Sequence, residues 1–198
     1  MPTPIAVATI VAQAFRYMEV TPPSSLDDDT PKARDAAEQY PNALQQCLEA
    51  ADWSFASVIV NLPAAVMPNT VAADGDLPYF YNLPGDLVRI QEVGDGLTKW
   101  RRDREGLRAD SVAPLRLRYT GKITNEATLP ATFRDAVALT LACLVAPIWL
   151  TTDSKLQRID AMRERSLSKA MRHDARSASD ARYDGLPDQG DWASEATL

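Results

Sequence analysis

The residues that could perform chemistry are few and lie far apart in the sequence. His173 is the only histidine, and its neighbours Arg172, Asp174 and Arg176 are charged. An active site needs convergent polar groups, and the sequence lacks a nucleophile elbow, a phosphate-binding loop, a dinucleotide-binding glycine motif, a zinc-binding His-Glu-x-x-His and an EF-hand loop. His173 could act as a general base, but its surroundings are typical of a solvated surface side chain. We therefore expect no enzyme activity and no cofactor.

Two further groups of residues could bind a metal. The consecutive Asp27, Asp28 and Asp29 could hold a divalent cation, although without further ligands such a run is typical of loop charge before a helix N-terminus. Cys47 and Cys143 have no Cys-x-x-Cys partner and lie in apolar stretches. Their positions indicate buried thiols instead of a disulfide or a metal site.

A basic stretch offers a possible contact surface. Trp100, Arg101, Arg102 and Arg104 could follow a phosphate backbone, with the indole as a stacking platform. Acidic residues in and around the stretch, such as Asp103, favour a protein contact instead. We interpret it as a surface for contact with another protein subunit.

The overall charge argues against broad attraction to nucleic acid. The 198 residues include 21 Lys and Arg and 27 Asp and Glu, for a net charge of −6. Residues 1–96 carry −9, residues 97–154 carry +3 and residues 155–198 are neutral. A net negative chain lacks the attraction on which non-specific DNA binding depends. The uneven distribution of charge would suit head-to-tail contacts between copies, although monomers also show such asymmetry.

Apolar stretches do not indicate a leader or a membrane span. The apolar N-terminal segment has no basic residue before Arg16, so a signal peptide is not expected. The run from Ala136 to Leu150 is shorter than the ~20 residues that cross a bilayer and contains Pro147. It predicts a buried helix.

Spacing and turn residues predict a mainly α fold. Apolar residues recur at intervals of three and four along four segments, which predict helices over about residues 4–18, 31–52, 130–150 and 154–183. The third helix should have a core face formed by Phe133, Val137, Leu141, Leu144 and Ile148.

Between the second and third helices, prolines, glycines and short β-rich runs predict a small antiparallel β insertion over about 54–120. In it, the alternation of apolar and basic residues from Leu115 to Tyr119 predicts a half-buried strand, and the charged stretch from Lys99 to Asp110 predicts an exposed hairpin. The chain is thus a helical bundle of about four helices in one domain, 1–183, followed by an extended C-terminal tail, 184–198.

Four short motifs, in this order, carry a resemblance to a known family. They are Trp53-Ser54-Phe55-Ala56, then the run from Tyr79 through Tyr81, Pro84 and Asp86 to Arg89, then Leu117 to Gly121, and finally Leu129-Pro130 with Phe133 and Ala136. Together they resemble head-to-tail adaptor proteins, or connectors, of tailed bacteriophages and gene transfer agents, of the tail tubular protein A type. The resemblance covers roughly residues 30–175.

The resemblance implies a structural virion protein at the head-tail interface, present in the host cytoplasm during assembly. Such proteins form a ring below the portal protein. The resemblance implies about twelve copies, a dodecamer, because a closed ring follows the symmetry of its template. The ring binds the portal on one side and a tail or stopper protein on the other, and DNA passes through its lumen without specific binding. No membrane is involved. A small peptidoglycan-cleaving enzyme and a monomeric DNA-binding module remain alternative hypotheses.

The motif residues also have a purely structural reading. Trp53 and Phe55 can lock the bundle to the sheet where a helix gives way to a strand. Pro78 and Pro84 confine the aromatic run to a short strand. Asp86 and Arg89 are close enough in sequence to pair or to cap a turn.

The last helix suggests where the portal would bind. Its apolar stripe fades near Met171 while basic residues continue, so we expect its distal half to project from the domain toward an acidic partner. The aromatics of the tail would serve as buried anchors and the arginines as orienting charges. The predicted portal-binding residues are Arg172, Arg176, Arg182, Tyr183, Leu186 and Trp192.

Overall fold

The structure is a computed structural model that describes residues 5–66 and 74–179. Within these ranges the predicted mainly α fold with an antiparallel β insertion is confirmed. In chain order, the elements are α1 (Ile5–Tyr17), α2 (Pro31–Glu49), a 3₁₀ turn (Ser54–Ala56), β1 (Ser57–Leu62), β2 (Tyr79–Tyr81), β3 (Leu87–Val93), β4 (Trp100–Arg102), β5 (Leu107–Ala109), β6 (Leu115–Gly121), a second 3₁₀ turn (Glu126–Thr128), α3 (Ala131–Trp149) and α4 (Asp153–Ser179).

Helix α3 is the central element of the bundle and packs against α1, α2 and α4. Its buried residues include Phe133, Val137 and Leu141 as expected, but Ile148, which the spacing placed on the core face, is 64% exposed. By length and composition α3 could cross a membrane, yet 56% of the stretch that passes this test is buried inside the protein. Its apolar character therefore matches the core position that the other three helices create.

Helix α2 begins as the sequence predicts and ends three residues earlier. The Thr30 hydroxyl accepts a hydrogen bond from the Ala33 amide (3.2 Å), which caps the N-terminus, and the helix continues through Pro41. At the other end, the Cys47 carbonyl accepts from the Ala50 amide (3.3 Å) and from the Trp53 indole (2.8 Å). This tightened last turn ends the helix at Glu49 instead of residue 52.

Helix α1 ends in a Schellman motif that ties it to α4. The Val20 amide donates to the Phe15 carbonyl and the Glu19 amide to the Arg16 carbonyl, both at 3.0 Å. Glu19 has a φ of 62°, a left-handed conformation that usually favours glycine. Its carboxylate binds Lys155 at 2.8 Å and Arg158 at 2.6 Å on α4, contacts that a glycine could not make.

The β insertion comprises two antiparallel three-stranded sheets instead of one. Their strand orders are β1-β6-β3 and β2-β5-β4, and residues of both sheets share a second apolar core that includes Tyr81, Leu107 and Leu117. The predicted alternation in β6 is confirmed, since Leu115, Leu117 and Tyr119 are buried while Arg116 is exposed.

The charged stretch after Lys99 forms the expected hairpin, but only its first strand is exposed. All of β4 is exposed, whereas Leu107, Arg108 and Ala109 of β5 are buried. The buried Arg108 is compensated by Asp103, whose Oδ2 lies 2.7 Å from its Nε. The expectation of a fully exposed hairpin was wrong because β5 is the middle strand of its sheet.

Candidate functional site

The first and last motifs bring aromatic side chains together at the junction between the helical bundle and the sheets. Trp53 and Phe133 lie edge-to-face with ring centroids 4.8 Å apart, and Phe55 lies 4.9 Å from Phe133 and 5.6 Å from Trp53. Trp53 and Phe133 are buried. Because the 3₁₀ turn that carries Phe55 leads directly into β1, this cluster fixes the start of the sheet to α3.

Arg89 joins β3 to the end of α2. Its Nε lies 3.2 Å from Asp52 Oδ1, and its Nη1 donates to the Glu49 carbonyl at 2.9 Å. A guanidinium at a helix C-terminus satisfies an orphan carbonyl and complements the helix dipole. Arg89 is therefore a cap of α2.

Asp86 and Arg89 could have paired or capped a turn, and the structure shows no pair between them because Asp86 makes a different contact. The Tyr119 hydroxyl donates to Asp86 Oδ1 at 3.0 Å, and the Asp86 carbonyl accepts from the Lys122 amide at 2.8 Å. Burial, with a smaller effect from Asp86, raises the pKa of Tyr119 above its usual value. Asp86 therefore joins the start of β3 to β6.

The aromatic run of the second motif belongs to the core between the sheets. Tyr81 is fully buried and its hydroxyl donates to the Ser111 carbonyl at 2.6 Å, and burial raises its pKa. Tyr79 packs against the same core. The Pro84 carbonyl accepts from the Leu87 amide (3.2 Å) in the turn to β3. Strand β2 is short, as the flanking prolines predict.

Helix α4 is anchored to the junction by a residue that the sequence analysis did not single out as a contact. The Ser54 amide and hydroxyl donate to the Asp174 carboxylate at 2.8 and 2.7 Å, and Ala170 is buried. The distal half of α4 therefore does not simply project from the domain, because it is fixed at least to Asp174. The two residues lie 120 positions apart, and no local pattern links them.

The predicted portal-binding residues divide into two groups. Arg172 and Arg176 are exposed on α4, on either side of the Asp174 anchor. Arg182, Tyr183, Leu186 and Trp192, together with the whole predicted tail 184–198, lie outside the described residues. Arg172 and Arg176 are thus the described part of this predicted surface.

The predicted contact surface on β4 is only partly available. Arg101 binds Asp103 at 2.9 Å and Asp74 at 3.1 Å, and these contacts lower the pKa of Asp103, with the Arg101 hydrogen bond as the main cause. Trp100 is 43% exposed, and Arg102 and Arg104 are exposed. Trp100, Arg102 and Arg104 are therefore open to a partner, whereas the Arg101 side chain, although exposed, is already paired with two carboxylates.

No reactive constellation is formed by the part of the chain that the structure describes. His173 is exposed, and no three His, Cys, Asp or Glu residues among those described are grouped as metal ligands require. Asp28 accepts a hydrogen bond from the Ser25 amide and Asp29 pairs with Arg34. Burial raises the pKa of both Cys47 and Cys143 to about 11, so both thiols stay protonated at neutral pH.

Comparison with known proteins gives no assignment. No family model matches the chain, and no curated protein matches its sequence. Function must therefore be argued from the residues.

Proposed function

We propose that the protein is a structural subunit, without a catalytic role, of a ring that joins the portal to the tail in a phage or gene transfer agent particle. The observation that carries the proposal is the use of the motif residues. Trp53, Phe55, Phe133 and Arg89 meet at the junction between the bundle and the sheets, while Tyr79 and Tyr81 build the second core. These residues hold elements together and do not line a reactive cavity, as a scaffold requires.

The surface is also that of a contact protein. Trp100 and Arg102 on the edge strand β4, with Arg104 in the turn that follows, offer an aromatic and two cations for a neighbouring subunit or the tail-side protein. Aromatic and arginine residues are typical interface anchors. Arg172 and Arg176, with Arg182 and the tail residues Tyr183, Leu186 and Trp192, would bind the portal. The DNA would pass through the lumen without specific binding, because every neutralised phosphate adds affinity and therefore friction.

Electron microscopy tests the proposal. Negative-stain images of the purified chain mixed with portal-containing particles should show rings below the portal, and images of the chain alone serve as the comparison. A chain that stays monomeric and leaves the particles unchanged would contradict the proposal. Cleavage of purified peptidoglycan would instead support the alternative enzyme.

A further inference from the structure

Helix α4 carries a line of cations on a face turned away from its buried residues. The cationic stripe consists of Arg158, Arg165, Lys169, Arg172 and Arg176, which are all exposed. Their spacings of seven, four, three and four place them on one helical face, whereas the buried Ile159 and Ala170 lie about 100° away from it around the helix. The acidic residues of α4 fall outside this face.

The members of the cationic stripe differ in what holds them. Arg158 is bound to Glu19 at 2.6 Å, and Arg172 and Arg176 lie beyond Ala170, the last described residue of α4 that is buried. Arg165 and Lys169 lie on the part of α4 that packs in the bundle, and neither forms an ion pair with another described residue. They are therefore fixed in position by the backbone and open to an anionic partner.

Helix α2 carries the complementary surface. Its acidic stripe consists of Asp35, Glu38, Asn42, Gln45 and Glu49, with spacings of three and four. This face is opposite the buried Ala36, Tyr40, Ala43 and Cys47. Arg34, near the start of the helix, is paired with Asp29. No Lys or Arg of α2 lies between Asp35 and Glu49, although Arg89 of β3 donates to the Glu49 carbonyl at the end of the stripe.

The acidic stripe also borders a depression of about 230 Å³, lined by Gln39, Asn42, Gln45, Gln46 and Glu49. Its lining consists of amides and one carboxylate, which are hydrogen-bond partners for a guanidinium or an ammonium group. Two long basic side chains that enter the depression would lose their hydration near Glu49 and gain hydrogen bonds to charged and polar groups. The shape and the chemistry of this face thus fit a cationic helix.

The two stripes lie at the same level of the bundle on different flanks. Helices α2 and α4 both pack on α3 and share no extended contact with each other. On the α2 side, Cys47 Sγ lies 3.2 Å from Thr140 Oγ1 of α3. On the α4 side, burial raises the pKa of Cys47 and Cys143 while the charge of Arg163 lowers it to a smaller extent, so Arg163 lies near both thiols. Because Ser54, just after α2, contacts Asp174 near the end of α4, the two helices run in the same direction. Copies related by rotation about an axis parallel to α3, with these flanks in contact, would therefore set Arg165 level with Glu49.

We propose that Arg165 and Lys169 of one copy bind the acidic stripe of the next copy, with Arg165 near Glu49 and a basic side chain in the depression on α2, and that this head-to-tail contact closes the ring. The inference rests on the proposed function, because a heterologous contact with a fixed rotation generates a ring. Arg165 and Lys169 lie four residues apart, a rise of ~6 Å along the helix, which matches the rise between Gln45 and Glu49 beside the depression.

Such an interface has a defined sensitivity to salt. Exposed ion pairs are individually weak and are screened as ionic strength rises, so the ring depends on many equivalent contacts acting together. Association should weaken as sodium chloride increases from about 0.05 to 0.5 M. A template such as the portal, which raises the local concentration of copies, would offset that loss.

Charge reversal tests the contact directly. One variant is Arg165→Glu with Lys169→Glu, and the other is Glu38→Lys with Glu49→Lys. Each alone should weaken association by roughly tenfold or more, because like charges then face each other. A mixture of the two variants should assemble again, since each copy meets a partner of opposite charge on both sides. Sedimentation velocity at low salt and electron microscopy with portal particles would measure both effects.

Matched controls separate this inference from the proposed function. Arg172→Glu with Arg176→Glu changes the same helix and charge but should leave association between copies unchanged. If the wild-type chain forms rings and both reversed variants also do, or if mixing restores nothing, the contact is wrong and the adaptor function stands. If the wild type stays monomeric with and without portal particles, both fail. The Arg165→Glu with Lys169→Glu variant could instead lose binding to a DNA duplex of about 30 base pairs while its assembly is unchanged. In that case the cationic stripe is a nucleic-acid surface and the proposed contact is overturned.

Discussion

Replacement of Asp174 by alanine should loosen the end of α4 without unfolding the domain. The carboxylate receives two hydrogen bonds from Ser54, at 2.7 and 2.8 Å, on a surface open to water. Hydrogen bonds to charged groups contribute more than neutral ones, but exposure reduces them, so about 1 to 2 kcal/mol of local stability should be lost. This amounts to a roughly 5- to 30-fold increase in local opening. Alanine is also the better helix former, so intrinsic propensity would act in the opposite direction.

Amide hydrogen exchange of α4 followed by mass spectrometry measures this opening. Peptides that cover residues 171–179 should exchange faster in Asp174→Ala, while peptides from α3 should be unchanged. Ser54→Ala removes the hydroxyl and keeps the amide, so it should produce a smaller increase. Arg172→Ala, an exposed neighbour, serves as the control and should change stability by less than about 0.5 kcal/mol. Unchanged exchange at 171–179 in Asp174→Ala would refute the anchor.

Four further outcomes are expected. Trp53→Ala should lower the unfolding free energy by about 3 to 5 kcal/mol in urea denaturation. Trp53→Phe keeps an aromatic ring but loses the hydrogen bond to the Cys47 carbonyl, so it should cost only about 1 to 2 kcal/mol. Equal losses in the two variants would contradict the contribution of aromatic packing. Lys155 and Arg158 lower the pKa of Glu19 from 4.5 to about 2, so their stabilising effect should be complete above pH 4.5 and disappear as the pH falls toward 2. Thermal melting should then show Glu19→Gln less stable than wild type at neutral pH, with the difference fading in acid. Deletion of residues 184–198 should leave a folded protein by circular dichroism that no longer attaches to portal particles; normal completion of heads would move the tail to contacts between copies. Gel shifts should show no tight, salt-sensitive binding of duplex DNA to the isolated chain, and such binding would contradict passage without specific contacts.

Much of the fold could be predicted because local patterns specify it. The four helices follow from apolar spacing, the N-terminus of α2 from Thr30 and Pro31, and β2 from the prolines at its ends. Aromatic content alone placed Trp53, Phe55 and Phe133 in structural roles. These signals depend on residues close together in the sequence, so they can be recognised without the structure.

The remaining features depend on contacts between distant residues. The Asp174 contact with Ser54 and the Arg89 contact with Asp52 and the Glu49 carbonyl join separate elements, so no local pattern indicates them. The charges around Arg108 suggested an exposed strand, and only its pairing between β2 and β4 explains why it is buried. The two charged stripes could have been found by counting exposed charges at helical spacing, but the faces on which they lie become known only with the bundle.

Native mass spectrometry of portal particles incubated with the full chain tests the central claim most directly. The proposed adaptor should add one defined set of copies, about twelve if the ring follows its template, and the reversed Arg165→Glu with Lys169→Glu variant should bind in smaller and variable numbers. Particles whose mass does not change, or that gain a broad distribution of wild-type copies without a preferred number, would contradict the account.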